Sequence, residues 1–448
     1  MRDRERIKKL SKFSIGIGDR FAQQGKAQLQ AIIKTQKWGV NIIPVWNKSF
    51  REHEIIQSHP SDTRKEADEA VRLCDWKNDY YVDADHVNMK TVDFFVDSSN
   101  FFTIDVAGFI GEKTDQQSIK QFVDHHQRYT DLTNIPGLGK TIHISRDLIL
   151  IIAQKYLRAV EEAGRIYRHI VDKKEDETCI IEVSMDETNN PQTPIELFFI
   201  LAAIADEGIP IQTIAPKFTG QFFKGIDYVG DHDQFTKEFE EDLAVIAFAV
   251  REFNLSKNLK LSVHSGSDKF SLYDPIRNAL KKFNAGLHLK TAGTTWLEEV
   301  TGLSEVGDDG LTIVKEIYRN AYHRFDELCK PYTAVINIDF KKLPDPDQTD
   351  SWDGPRFASA LRHNPTDAQF NPHVRQLIHI GYKIAAEMKE RYLITLKKYE
   401  KKIAQNVTVN IYENHLKRLF YDLVEDSNKK DEKGKSNALS PRALWHRE

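Results

Sequence analysis

"LKLSVHSGSDKFSLYDPIRNALKKF", residues 259–283, contains a complete strand–turn–helix unit. Leu259, Leu261 and Val263 alternate with Lys260, Ser262 and His264, the two-residue period of a strand with one apolar face. A polar turn, Ser265 to Lys269, follows, and residues 273–283 have helical spacing. "GLHLKTAG" (286–293) opens the next unit, with Leu287 and Leu289 on one face and His288 and Lys290 on the other; residues 311–329 supply its helix. Where parallel strands close into a barrel, the outer face packs on helices and is apolar. Ser262, His264, His288 and Lys290 are therefore expected to point inward or toward the mouth, with His264 and His288 at matching positions on adjacent strands.

The same unit recurs toward the N-terminus. "KFSIGIGDRF" (12–21) precedes a helical pattern at 25–36, and "GVNIIPVWN" (39–47) precedes one at 62–74 with Asp62 as its expected N-cap. "YYVDADH" (80–86) and "FFTIDVAG" (101–108) come next, then helical stretches at 115–129 and 145–171. "CIIEVSMDE" (179–187) and "IPIQTIAPKF" (209–218) are each followed by a helix, at 194–208 and 233–253. Alternating βα units imply a parallel sheet, and this number predicts a (β/α)8 TIM-type barrel over residues 1–335. An open doubly wound sheet is disfavoured because no G-x-G-x-x-G follows a strand. "KKLPDPDQTDSWDGPRF" then changes the texture, so 336–426 read as a loop and helical C-terminal extension packed on the barrel, with one or two long helices at 373–403. Residues 427–448 are polar and expected to be a mobile tail.

Composition narrows the function. Lys and Arg (63) nearly balance Asp and Glu (67) in 448 residues, which favours neither nucleic acid nor an anionic membrane as partner. Three scattered cysteines fit a reducing compartment, and the charged N-terminus lacks an apolar segment, so a cytoplasmic location is expected. "PGLGKT" (136–141) has Asn134 where a phosphate-binding loop needs its first glycine, and no strand precedes it. The His125–His126 pair reads as surface.

Polar residues gather at the strand ends: Asp19 and Arg20, Asp83, Asp85 and His86, Asp105, then Glu182, Ser184 and Asp186 on one face, Lys217, His264, and His288 with Lys290. Neutral imidazoles with carboxylates form a site for Mn, Zn, Ni, Co or Fe. The turn "HSGSDKFS" (264–271) is either an anion cradle or an ordinary βα turn, and His363 is a further candidate to cap the mouth.

"KFSIGIGDRF", "YYVDADHVN", "FFTIDVAG", "EVSMDETNNPQTPIELFFILAAI", "GIPIQTIAPKFTGQFFKGIDYVGD", "LSVHSGSDKFS" and "LHLKTAGTTWLEE" together resemble the tagaturonate/fructuronate epimerase family, over about residues 12–420. The resemblance implies divalent-metal-dependent interconversion of D-tagaturonate and D-fructuronate in hexuronate catabolism. The inverted carbon lies β to the ketone and its C–H is not acidified, so retro-aldol cleavage and re-addition is favoured over transient oxidation, for which no nucleotide motif is visible. With this reaction in view, His86, His264 and His288 are assigned to the metal, Asp85 to accepting a proton and Glu182 to donating one; Asp105 and Asp186 are alternative acceptors. Arg20, Lys217, Ser265 and Lys290 are assigned to the substrate's carboxylate and hydroxyls. A metal-dependent aldolase or ketose isomerase on the same barrel is the rival reading; oligomeric state stays open.

Overall fold

Eight parallel strands follow one another in chain order: β1 (Phe13–Gly18), β2 (Ile42–Ser49), β3 (Tyr81–Val87), β4 (Phe101–Asp105), β5 (Ile180–Ser184), β6 (Thr213–Ala215), β7 (Lys260–His264) and β8 (Leu287–Lys290). Each pairs with its neighbour, and β8 returns to β1 to close the barrel. This is the architecture of the computed structural model, which describes residues 9–174, 179–291 and 293–423; the expected tail at 427–448 lies outside the described residues.

The alternation read from the sequence divides the barrel into two apolar regions. Ile15, Ile17, Trp46, Val82, Phe102, Ile104, Val183, Leu261, Val263, Leu287 and Leu289 face out and pack beneath the helices. Leu10, Ile43, Val45, Tyr81, Phe101 and Ile180 form a separate buried cluster that plugs the interior. Each such side chain contributes about 1.5–3 kcal/mol by leaving water. Lys260 lies among the inward-facing residues, and its Nζ donates to the carbonyls of Leu10 and Ser11. Nearer the strands' C-terminal ends the inward positions of β3, β5, β7 and β8 are polar, and there Asp83, Asp85, Glu182, His264 and Lys290 form ion pairs instead of a dry core.

Helices cover the outside. Asp62 is not the cap of the helix Pro60–Leu73: His59 is, with proline at the first turn, and the Asp62 carboxylate reaches back to the His59 N–H at 2.9 Å. The helix Pro194–Asp206 starts with a Thr193–Glu196 capping box. The stretch 373–403 divides into shorter helices, Pro372–Ile380, Tyr382–Glu387, Glu390–Lys398 and the start of Glu400–Val409. These extension helices are tied to the barrel by hydrogen bonds: Trp296 Nε1 donates to the Ile378 carbonyl at 2.8 Å, and Thr408 Oγ1 to the Ala27 carbonyl at 2.9 Å. No helix among the described residues is long and apolar enough to cross a membrane.

Candidate active site

Two local departures from regular strand geometry shape the barrel mouth. At the end of β3 the register against β4 shifts between Ala84 and Val87, and His86 takes a left-handed backbone, φ 54°. Consecutive residues on a regular strand face opposite ways. This irregularity lets Asp85 and His86 both join the mouth, where His86 Nδ1 lies 3.0 Å from Asp85 Oδ1. Beyond β5 the chain carries Asp186 over the opening, and Ser184 Oγ donates to Asp186 Oδ1 at 2.5 Å.

His86, Asp186 and His264 converge, their ligand-capable atoms all within 4.8 Å of one another. Asp186 oxygens lie 3.5 Å from His86 Nε2 and 3.2 Å from His264 Nδ1. Both of those nitrogens are buried and lack a hydrogen-bond partner. Two unsatisfied imidazole nitrogens beside a carboxylate fit a divalent cation, since buried polar atoms are otherwise paired. Burial works against the charged imidazoles, but Asp186 and Glu182 raise His264 to about 9, and Asp85 and Asp186 raise His86 well above its usual range. Against the opposing effect of burial, His264 and His86 hold Asp186 well below the carboxylate range.

Beneath this trio lies a buried ionic cluster. Lys290 Nζ is 2.7 Å from Asp83 Oδ2, 2.7 Å from Asp85 Oδ1 and 3.3 Å from Glu182 Oε1. Thr103 Oγ1 lies 2.5 Å from the same ammonium and 3.0 Å from both Asp83 oxygens. Glu182 Oε1 also meets His264 Nε2 at 2.8 Å, so Glu182 connects the two layers. Burial pushes Asp83 up to about 6, opposed by Lys290 and reinforced by Asp85 and Glu182. Asp85 and Glu182 go the other way: Lys290 and the adjacent histidine, His86 for Asp85 and His264 for Glu182, overcome burial and hold both well below the usual range.

His288 is not brought into the trio. The β7–β8 register pairs His264 with Lys290 and Ser262 with His288, so the two histidines are not at matching positions: His288 sits one inward step deeper. Its Nδ1 meets Ser14 Oγ at 2.9 Å, its ring packs on Phe101, and burial lowers its pKa to about 3. Ser265 is tied to β8, its Oγ donating to the Lys290 carbonyl at 2.7 Å. The Lys217 N–H donates to the Gln192 side-chain oxygen at 2.6 Å, and its carbonyl accepts from the Gln192 N–H at 3.3 Å. Arg20 is buried, donating to Glu52 at 3.2 Å and to the His379 carbonyl at 3.2 Å, beside a cleft of about 450 Å³. Asp105 accepts from the Ala107 N–H at 3.0 Å. The "HSGSDKFS" turn spends its polar groups on protein: Ser267 Oγ accepts from the Gly225 N–H, and Lys269 Nζ donates to the Phe223 and Ile226 carbonyls. Asp268 holds Arg375 at 2.5 Å, His363 at 3.3 Å and His415 at 3.2 Å, so His363 locks the extension to the barrel and does not cap its mouth. His126 is buried and meets Asp206 at 2.7 Å, while His125 stays exposed.

A parallel barrel whose mouth combines a His–Asp–His trio with a Lys–carboxylate cluster has the form of a (β/α)8 enzyme with its reacting groups at the C-terminal ends of the strands. Within that class, the chain belongs to the tagaturonate epimerase family, whose model matches residues 5–419. The tagaturonate/fructuronate epimerase of Thermotoga maritima is 29% identical over 433 residues, covering 92% of this chain and 80% of that protein. The native crystal structure of fructuronate-tagaturonate epimerase UxaE from Cohnella laeviribosi shares the fold at a TM-score of 0.74 and 24% identity, covering 92% of this chain and 81% of that one. The one-glycerol complex of the same protein gives the same values.

Proposed function

We propose that this protein is a cytoplasmic epimerase that interconverts D-tagaturonate and D-fructuronate, using a divalent cation held by His86, Asp186 and His264. The observation that carries the metal assignment is the convergence on one carboxylate, at 3.2 and 3.5 Å, of two buried imidazole nitrogens that make no well-aligned hydrogen bond. A cation there supplies a Lewis acid for the substrate ketone. The substrate class rests on family membership.

The protein's own groups support a retro-aldol inversion. Asp85, held ionised, takes the proton of the hydroxyl on the carbon β to the ketone. The bond between that carbon and its α-neighbour breaks, leaving an aldehyde fragment and an enediolate. After the aldehyde turns its other face, the same bond re-forms and the new alkoxide takes a proton back. Glu182, the donor expected from the sequence, is held ionised by Lys290 and His264, whereas Lys290 carries a proton and lies 2.7 Å from Asp85. Lys290 is therefore the better donor, and Glu182 orients His264. The buried surroundings keep both fragments from water.

The test is conversion of D-tagaturonate followed by NMR, after chelation and after adding back Mn, Zn, Ni or Co. Metal-restored D-fructuronate formation supports the reading. Full activity of the stripped protein removes the metal, and release of two fragments favours an aldolase.

A further inference from the structure

The groups first assigned to the substrate's carboxylate are largely committed to protein partners. Lys290 is surrounded by three carboxylates, and the Ser265 hydroxyl is bonded to a carbonyl. Other polar groups at the mouth are less fully spent, and Arg20, already paired with Glu52, lies beside them. His379, on the extension helix Pro372–Ile380, is buried at 1% exposure, yet neither ring nitrogen has a hydrogen-bond partner. Its Nε2 lies against Gly293, three residues beyond Lys290, where a Cβ would overlap the imidazole. Gly293 has φ +88°, so glycine serves both the turn and the close approach.

Two cations share a floor beside it. Arg20 donates through Nη1 to the His379 carbonyl and lies 4.1 Å from the centroid of the Tyr382 ring. Lys224 lies 6.0 Å from the Tyr332 ring centroid. The Tyr332 and Tyr382 hydroxyls are 2.8 Å apart, so the two aromatic supports are joined. Lys224 Nζ has no hydrogen bond or ion pair within 4.0 Å among the described residues; burial lowers its pKa, opposed by the charges of Glu52 and Glu187. Burial, then Arg20 and Lys224, keep the His379 ring neutral by lowering its pKa well below the usual value. A buried neutral imidazole offers one N–H donor and one acceptor, and leaving both unmade is costly.

We propose that His379, Arg20 and Lys224 form the subsite for the substrate's carboxylate. A His379 ring N–H donates to the carboxylate, while the two cations balance its charge. The extension thus selects acids over neutral ketoses. This rests on the sugar-acid reading above.

The test uses the full-length, metal-loaded protein with Lys224→Met, His379→Leu and His379→Asn. D-gluconate, an unreactive sugar acid, and D-glucitol, its neutral counterpart, are titrated calorimetrically, and KM and kcat are measured on D-tagaturonate. Lys224→Met and His379→Leu should weaken gluconate binding and raise KM by about tenfold to a hundredfold, with kcat and metal content near wild type. His379→Asn, which keeps a donor and an acceptor, should recover part of the loss. Glucitol should bind no better than to the variants. Wild-type affinity for gluconate in both Lys224→Met and His379→Leu, or no gluconate binding by the wild type, overturns the subsite. Gluconate binding lost in the variants of a protein that does not turn over tagaturonate keeps the subsite and rejects the epimerase; turnover with unchanged KM in the variants does the reverse.

Discussion

Replacing Lys290 with methionine tests the ionic cluster most severely. The side chain keeps its reach and loses its charge. Asp83 and Glu182 are fully buried, and Asp85 nearly so, and all three lose the cation that lies 2.7–3.3 Å away. Removing one partner of a buried ion pair costs about 3–5 kcal/mol, and no other basic side chain among the described residues reaches Asp83. Lys290 has a raised pKa when folded, so its stabilisation is present throughout the range below the unfolded lysine value. In Lys290→Met, Asp83 loses the charge that opposes its upward shift and rises above about 6. An acid with a raised folded pKa is penalised at high pH and relieved as pH falls through that value. Urea unfolding should therefore show the full deficit near about pH 8 and a smaller one near about pH 5.5. Asp83→Asn in the same chain should restore about 1–2 kcal/mol. Turnover should fall by at least about a hundredfold, with the content of bound divalent metal unchanged because Lys290 is not in the trio. A deficit under about 1 kcal/mol at pH 8, or one that does not shrink with acid, refutes the reasoning.

Four further outcomes follow. His86→Ala and Asp186→Asn should each lower the stoichiometry of bound divalent metal, whichever of Mn, Zn, Ni, Co or Fe the purified protein holds, whereas His288→Gln should leave it unchanged; equal loss in all three would restore His288 to the metal. The His288 imidazole, lowered by burial to about 3, should show no NMR titration between about pH 8 and pH 4. Because the unfolded chain takes that proton below the ordinary histidine value, the wild-type stability advantage over His288→Gln should shrink by about 2 kcal/mol between pH 7 and pH 5. Arg375→Met leaves the fully buried Asp268 without its guanidinium and should cost about 3–5 kcal/mol in urea unfolding; a change within experimental error would show that His363 and His415 suffice.

The period of two made the barrel legible, because the strands alternate an apolar face with a second face that, on β2 to β5, turns polar toward the C-terminal end and, on β7 and β8, is polar throughout. It also located His264, Lys290, Glu182 and Asp85 at the mouth. It did not reveal how far each strand slides against the next. The β7–β8 register sets His264 opposite Lys290 and lowers His288 by one inward step, a displacement that residue spacing within each strand does not encode. Nor does a regular period foresee the bulge that turns His86 beside Asp85. Asp186 was visible only as an alternative base, since it follows the strand on a loop. Thr103 and Asp83 carried a weak signal, polar inward positions on β4 and β3. His379, almost a hundred residues past β8, carried none, because only the packing of the extension brings it to Gly293.

The central claim is that this site inverts a carbon without breaking its C–H bond. D-tagaturonate deuterated at the hydroxyl carbon β to the ketone, incubated with the metal-loaded protein and followed by NMR, tests it directly. Retro-aldol inversion predicts D-fructuronate with the deuterium retained at that carbon and no primary isotope effect. Absence of conversion, or a primary isotope effect, would contradict it.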